Sequence, residues 1–520
     1  MTETLLVWLT RGILLALGIG AIHWLLRWSR TAFGERRERW AVRTALAMLL
    51  LALTYAVGHT RLLLQREQIE DGRRRYALYG DPRLAELRRA EVRGWLLDCT
   101  GDDARALARY GERDGSVLRL YPVGEAGANL LGGGVAEEGE ERDFTIERLY
   151  AGRLREPRSW SEAEQLHPAG TDLRLTLCGG ATRQAWQLLR GAGRPGAVVV
   201  QEVSTGAVVA YAATGGAEDP PLGIRRYAPP GSVFKLALAA LWYESNLPDD
   251  APIPCPPSIQ VTPRATISNF GGIGYGTVIG PAGMLIPSCN TAAVRMALDM
   301  RERLGTEAFE RAYRSYGFIP YGETPPPASE RDFWSTTSSA WERRMSPPPS
   351  RIRLSEQTGP AEWAQLSIGQ GPVDVTVIGI SRFVQAIGNG GVMLRPTLEW
   401  ERTRRPQEVG RVMRPETAQK LQQAMLAVVE RGTARSVAPR VRGTGWNLGG
   451  KTGTAQVAGA ADDGWFAGLI FSPEGEPRYS VVVYLQHGGP GGGQPAAIAA
   501  EMLRFLARDE AQPQVAGRGE

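Results

Sequence analysis

Pro229-Pro230-Gly231-Ser232-Val233-Phe234-Lys235 leads into residues 232–243, a run dense in helix formers and free of glycine and proline. Pro-Pro-Gly cannot be helix interior, so Ser232 is expected at or near a helix N-terminus. Ser232 and Lys235, three residues apart, then share one helical face. That puts an amine beside a hydroxyl, close to backbone N–H groups able to stabilise an oxyanion. Serine with lysine is a known nucleophile-and-base pair. By itself Ser-x-x-Lys also describes an ordinary capped helix start.

Composition sharpens the reading. Lysine and arginine total 60, yet only Lys235, Lys420 and Lys451 are lysines. Arginine serves almost everywhere that a positive charge suffices. A group that must lose its proton cannot be arginine, because the guanidinium stays protonated. Lys235 is thus expected to act by deprotonation and Lys451 as a compact point charge. The net charge is +5, with arginines interspersed among acids, which gives no sign of a nucleic-acid-binding surface. The four cysteines, Cys99, Cys178, Cys255 and Cys289, have no metal-ligand spacing. They can pair in an oxidising compartment or stay as buried thiols, and the sequence leaves both open.

At 520 residues the chain has room for two or three domains. Two apolar segments, residues 5–26 and 40–57, approach membrane-spanning length and are interrupted only by Arg11, His23 and Arg43. Between them lie Arg27, Arg30, Arg36, Arg37 and Arg39, so this loop is expected to be cytoplasmic and everything after about residue 60 exported. One span with an interfacial first helix is the alternative. Residues 62–92 read as a charged helical stalk, and the Gly-rich stretch 93–165 as a small pedestal. Residues 197–203 and 207–213 form a strong hairpin signal around Ser204-Thr205-Gly206. Helical segments follow. A Pro- and Ser-rich insertion over 321–359 reads as a surface loop. Three more strands are expected at 451–457, 464–471 and 479–486, the last two joined through Pro473-Glu474-Gly475-Glu476. A closing helix at 495–507 comes next, and the end of the chain, 509–520, reads as a disordered tail. The fold class is therefore α+β, with a five-stranded antiparallel sheet flanked by helices.

Two further constellations fit the serine. Ser288-Cys289-Asn290 precedes a helical run at 291–300, so hydroxyl and carboxamide, two apart, are suited to relaying a proton and holding a substrate amide. The bland alternative is an N-cap. Lys451-Thr452-Gly453-Thr454, after Gly449-Gly450, opens a strand. Gly453 would let a substrate backbone come close, while Lys451 and Thr454 offer a cation and a hydroxyl to a carboxylate. Read plainly, it is a Gly-rich turn entering an edge strand.

Ser-x-x-Lys, Ser-x-Asn and Lys-Thr-Gly in that order resemble the motif set of penicillin-binding proteins and serine β-lactamases. The surroundings are similar to class B penicillin-binding proteins in particular. They include Ile368-Gly369-Gln370-Gly371 with Thr376, Asn389-Gly390-Gly391, Arg431-Gly432-Thr433-Ala434 and Gly450-Lys451-Thr452-Gly453-Thr454-Ala455-Gln456. Ahead of them, Tyr121-Pro122, Thr145-Ile146-Glu147-Arg148-Leu149-Tyr150 with Leu154, and Asp172-Leu173-Arg174-Leu175-Thr176-Leu177 match too, so the resemblance covers about residues 90–508.

The resemblance implies a membrane anchor (1–61), a stalk and short pedestal (62–165) and a transpeptidase domain (166–508). It also implies a D,D-transpeptidase of peptidoglycan synthesis, facing outward from the cytoplasmic membrane and serving elongation or division. Ser232 would attack the penultimate D-Ala carbonyl of a stem peptide ending in D-Ala-D-Ala and form an acyl-enzyme, with Lys235 taking the proton. Ser288 would pass a proton to the leaving amine, and Asn290 would orient the chain. Lys451, Thr452 and Thr454 would bind the terminal carboxylate beside Gly453, and the N–H groups of Ser232 and Thr454 would form the oxyanion hole. β-Lactams would acylate Ser232. No cofactor or metal is implied. The chain before the hairpin is too short for a glycosyltransferase domain, which implies a polytopic membrane glycosyltransferase as partner. In Arg93-Gly94-Trp95-Leu96-Leu97-Asp98-Cys99-Thr100-Gly101, Cys99 stands where the family's pattern has an arginine. The alternatives are a carboxypeptidase, β-lactamase or β-lactam sensor using the same acylation, or a non-catalytic scaffold that activates a polymerase.

Overall fold

Five strands buried on both faces build the core of the sheet-bearing unit. The computed structural model describes residues 20–21, 23–24, 27–28, 35–64, 93–113, 116–132, 145–155, 170–215, 219, 221–321 and 350–511. Strands β1 (Gly196–Glu202), β2 (Val208–Ala213), β3 (Asn447–Ala455), β4 (Asp463–Phe471) and β5 (Pro477–Leu485) form one antiparallel sheet in the order β3-β4-β5-β1-β2. Strand residues point alternately to opposite faces. Val198, Val200, Phe466, Ile470, Val481 and Val483 enter one core, while Val199, Tyr211, Trp465, Leu469, Val482 and Tyr484 enter the other. Both faces are covered, so the strands other than β3 read as largely continuous apolar runs rather than alternating ones.

Helices α2 (Gly179–Ala192) and α7 (Gln494–Ala511) cover the first face with Ala185, Leu189, Ala499 and Leu503. The final helix thus runs to Ala511, beyond the expected 507. On the opposite face lie α3 (Lys235–Glu244), α4 (Asn290–Leu304), α5 (Val377–Gly388) and α6 (Pro415–Glu430). Every residue of α3 from Lys235 to Tyr243 is buried, as a helix that is apolar all round must be. Burial of each Leu side chain there contributes about 1.5–3 kcal/mol.

Contacts divide the chain into two compact units, and residues Ala90–Glu156 belong to the same unit as Ala169–Glu520. A short parallel pairing of Leu96–Leu97 with Leu173–Arg174 joins these stretches. Arg93 and Arg119 both pair with buried Glu147, so two of the quoted sequence stretches meet at one ion-pair cluster. All four cysteines are paired, Cys99 with Cys178 and Cys255 with Cys289. Where the family's pattern has an arginine, Cys99 makes a covalent tie to the residue that caps α2.

The other unit contains α1 (Glu35–Leu64), on which Trp40, Met48, Leu51, Leu53, Tyr55 and Val57 are exposed. Among the described residues no helix is long and apolar enough to cross a membrane. Most of the first apolar segment (5–26), the stalk beyond residue 64, residues 322–349 of the insertion and the tail from 512 lie outside the described residues.

Candidate active site

Ser232 lies in a 3-10 turn, Gly231–Phe234, that runs directly into α3 at Lys235. Residues i and i+3 eclipse in a 3-10 turn, which stacks the hydroxyl and the amine on one side. Several contacts fix this turn. Gly231 N–H donates to Gly369 O (2.9 Å), and Ala228 exchanges two backbone hydrogen bonds with Val375. Phe234 packs against Tyr313 and Phe318, with ring centroids 5.0 and 5.3 Å away. Gly231 has φ +52°, and a Cβ there would sit 2.5 Å from Thr454 O, so only glycine fits.

Ser288-Cys289-Asn290 enters α4. Cys289 is the N-cap, and Ser288 holds φ +60°, a left-handed conformation rare for a residue with a side chain. Such backbone persists where surrounding structure imposes it, and it clusters at functional sites. Lys451-Thr452-Gly453-Thr454 lies within β3, an edge strand that starts four residues before Lys451. Gly453 is paired with Trp465 in the register, and a Cβ on it would come within 2.7 Å of Pro230 O and 2.9 Å of Val233 Cγ2. The close approach that Gly453 permits is thus made by the serine-bearing turn.

These three elements converge. Lys235 Nζ donates to Ser288 O (2.8 Å), Ser288 Oγ (3.3 Å) and Asn290 Oδ1 (2.6 Å). Lys451 Nζ reaches the same Ser288 Oγ at 2.7 Å and Thr452 O at 2.9 Å. Both lysines are fully buried, and their partners are hydroxyl, carbonyl and carboxamide oxygens with no carboxylate. Burial therefore pushes the Lys235 amine well below its usual range, and the neighbouring Lys451 charge pushes it further. Burial brings Lys451 down to about 7. An amine in this condition is available as a base near neutral pH. Ser232 Oγ is half-buried and has no hydrogen-bond partner among the described residues. Such looseness is common in unliganded sites.

Lys235, Ser288, Asn290 and Lys451 thus form one hydrogen-bonded cluster beside Ser232. The Thr452 hydroxyl pairs with Thr433 Oγ1 at 2.7 Å. Thr454 is half-buried, and its carbonyl accepts from Gln370 Nε2 at 3.5 Å. Thr433, Gln370 and Asn269 are neighbours of the site that motif spacing does not assign. The first two fall in stretches already singled out as family-like, whereas Asn269 carries no sequence signal. Among the described residues, no group of His, Cys, Asp and Glu is arranged to hold a metal ion.

An α+β sheet with a serine on a helix-entry turn and two buried lysines meeting one hydroxyl defines the architecture of the penicillin-recognising serine acyltransferases. The chain belongs to the penicillin binding protein transpeptidase domain family, whose model matches residues 196–504, and its relatives place it among the class B proteins. It is 28% identical over 309 residues to a penicillin-binding protein PbpB of Mycolicibacterium smegmatis, covering 54% of this chain and 42% of that protein. It is 23% identical to a peptidoglycan D,D-transpeptidase PbpA of Mycobacterium tuberculosis, covering 54% of this chain and 55% of that one. The chain thus spans about half the length of the curated relatives it matches. Among solved structures it resembles the D,D-transpeptidase domain of a peptidoglycan glycosyltransferase from Eggerthella lenta. That likeness has a TM-score of 0.64 at 25% identity and covers 82% of this chain and all of that one.

Proposed function

We propose that this protein is a peptidoglycan D,D-transpeptidase acting through a Ser232 acyl-enzyme. The observation that carries the reading is the convergence of buried Lys235 and Lys451 on Ser288 Oγ beside the Ser232 turn. Ser232 Oγ attacks the carbonyl carbon of the penultimate D-Ala in a stem peptide, and its proton passes to the neutral Lys235 amine. Negative charge then develops on the carbonyl oxygen, and the N–H groups of Ser232 and Thr454 receive it. The tetrahedral intermediate collapses by breaking the peptide C–N bond. The leaving D-Ala nitrogen takes a proton through Ser288, which both lysines touch. Asn290 holds the peptide backbone, and Lys451, Thr452 and Thr454 hold the terminal carboxylate on the edge strand, where a peptide can add alongside. An amine of a neighbouring stem peptide next attacks the ester carbonyl, gives up its proton to the same relay, and releases Ser232 as the cross-link forms. β-Lactams acylate Ser232 by the first half of this sequence. No metal or organic cofactor is needed.

The location follows from the same reading. Two disulfides suit an oxidising compartment outside the cytoplasm. The apolar side chains exposed on α1, together with the basic residues before it, support anchorage in the cytoplasmic membrane. The preceding segment at 5–26 would supply a second span. The stalk and pedestal (62–165) would carry the transpeptidase domain (166–508) outward, and glycan polymerisation would fall to a polytopic membrane glycosyltransferase. The decisive test is labelling of membrane and soluble fractions with a fluorescent penicillin. A covalent band in the membrane fraction, absent in Ser232→Ala, is expected. A band that persists in the variant, or none in the folded intact protein, would overturn acyl transfer by Ser232.

A further inference from the structure

Asn290 is only as well placed as the first turn of α4, and that turn lacks an ordinary cap. Its N-cap side chain, Cys289, is committed to the disulfide with Cys255, and among the helix's first N–H groups Cys289 Sγ accepts from that of Ala292, at 3.2 Å, while also lying 3.3 Å from Thr291 Oγ1. Sulfur is a weak acceptor. The first two N–H groups of the helix need a partner from elsewhere, since buried donors are almost always paired.

Asn269 supplies it. Its Oδ1 accepts from Asn290 N–H at 2.9 Å and from Thr291 N–H at 3.1 Å. Its Nδ2 donates to Pro256 O at 2.9 Å and to Ile273 O at 2.8 Å. The side chain is 4% exposed, and its four bonds use every donor and acceptor site that the carboxamide has. Neighbouring contacts act in the same direction. Ser268 O accepts from Asn290 Nδ2 (2.7 Å), and Pro256 O accepts from Thr291 Oγ1 (2.9 Å). The stretch from Cys255 to Ile273 is therefore fastened to the entrance of α4 with Asn269 at its centre. On the other side of Asn290, Oδ1 meets Lys235 Nζ at 2.6 Å.

We propose that Asn269 is a positioning residue of the acyl-transfer site: by carrying the first two N–H groups of α4 it holds the Asn290 carboxamide against Lys235 Nζ. The inference rests on the transpeptidase reading and adds to it a residue outside all three motifs. Asn269 touches neither the serine nor a lysine, so it acts only through Asn290. Loss of its oxygen leaves two buried N–H groups unpaired and lets the first turn shift. A displacement of about 1 Å in a reacting group can cost about a hundredfold in rate.

The test uses the full chain and a chromogenic penicillin, separating the non-covalent affinity for the drug from the first-order acylation constant. Asn269→Ala is expected to lower the acylation constant by about 10- to 100-fold with little change in affinity. Asn269→Asp keeps an oxygen for the two N–H groups but sets its second oxygen against the carbonyls of Pro256 and Ile273, so it is expected to recover part of the acylation constant while melting below wild type. Thermal melting of each variant reports the folded fraction. Acylation of Asn269→Ala at the wild-type constant would overturn the proposal. So would an equal fall in affinity, acylation and melting temperature in both variants, because that marks a purely structural residue. Failure of the wild-type protein to acylate at all would remove the transpeptidase reading itself, and this proposal with it.

Discussion

Lys235 and Lys451 are buried with only neutral oxygens as hydrogen-bond partners, and this gives the site a pH signature of known sign. In the folded protein burial lowers the Lys451 amine to about 7, whereas in the unfolded chain it keeps the ordinary lysine value of 10.5. Between these limits the unfolded state binds more protons, so this group makes stability rise with pH. Its destabilising effect is fully present below about pH 7 and is progressively relieved above it. Lys235, also lowered, adds to the same trend. Lys451→Met is therefore expected to flatten the pH dependence of the unfolding free energy, measured in urea, between about pH 7 and 9 by up to about 1.4 kcal/mol per pH unit. An unchanged slope would mean that Lys451 is already charged or solvated when folded. Acylation should fall in acid as Lys235 takes a proton and ceases to be a base.

The serine-bearing turn and edge strand β3 act as one element, because glycines allow their backbones to touch. Gly231 illustrates the requirement. Its φ of +52° is strained for any residue with a Cβ, and the carbonyl of Thr454 occupies the space that the Cβ would need. Gly231→Ala should push the turn away from β3 and cut the acylation constant by about a hundredfold or more. Global stability should fall by about 1–3 kcal/mol. Both are measurable on one preparation by penicillin acylation and denaturant unfolding. Wild-type acylation in this variant would show that the turn can shift without harm. Gly453, read from sequence as space for substrate, is explained at this scale: Pro230 O and Val233 fill that space.

Across the whole molecule, residues 93–155 are held to the sheet-bearing part by chemistry of several kinds. Glu399 accepts from Tyr150 Oη (3.2 Å) and from Arg153 Nη1 (2.8 Å), and it pairs with Arg402. Arg174 donates to Cys99 O and lies 3.7 Å from the centre of the Trp400 ring. The disulfide Cys99–Cys178 closes a loop of 79 residues. Chain-entropy reasoning assigns such a cross-link about 4–5 kcal/mol. Replacing both cysteines with serine should lower stability by about 2–5 kcal/mol in non-reducing buffer, seen as a lower denaturant midpoint. Penicillin acylation at Ser232 should survive below the new midpoint. A stability change near zero would mean that Glu147, Glu399 and the Leu96 pairing hold this segment unaided.

Four of the five strands were legible as apolar runs long enough to cross a core, whereas β3 carries glycines, Lys451 and two threonines and was read from its motif, starting at 451 rather than 447. Ser232, Lys235, Ser288, Asn290 and Lys451 were legible because their chemistry is tied to fixed short spacings and lysine is scarce. Local sequence therefore determined most of the strands and the helix entries, and it supplied the residues proposed as reactive. Tertiary structure alone decided which cysteines pair, that Lys451 shares Ser288 with Lys235, that Gly453 accommodates Pro230, and that Asn269 supports Asn290 from 21 residues away. The physical reason is the range of the interactions. Helix entry and strand alternation depend on neighbours a few residues apart. A buried hydrogen bond, a disulfide or a desolvated amine depends on which distant segments the folded core brings within a few ångströms.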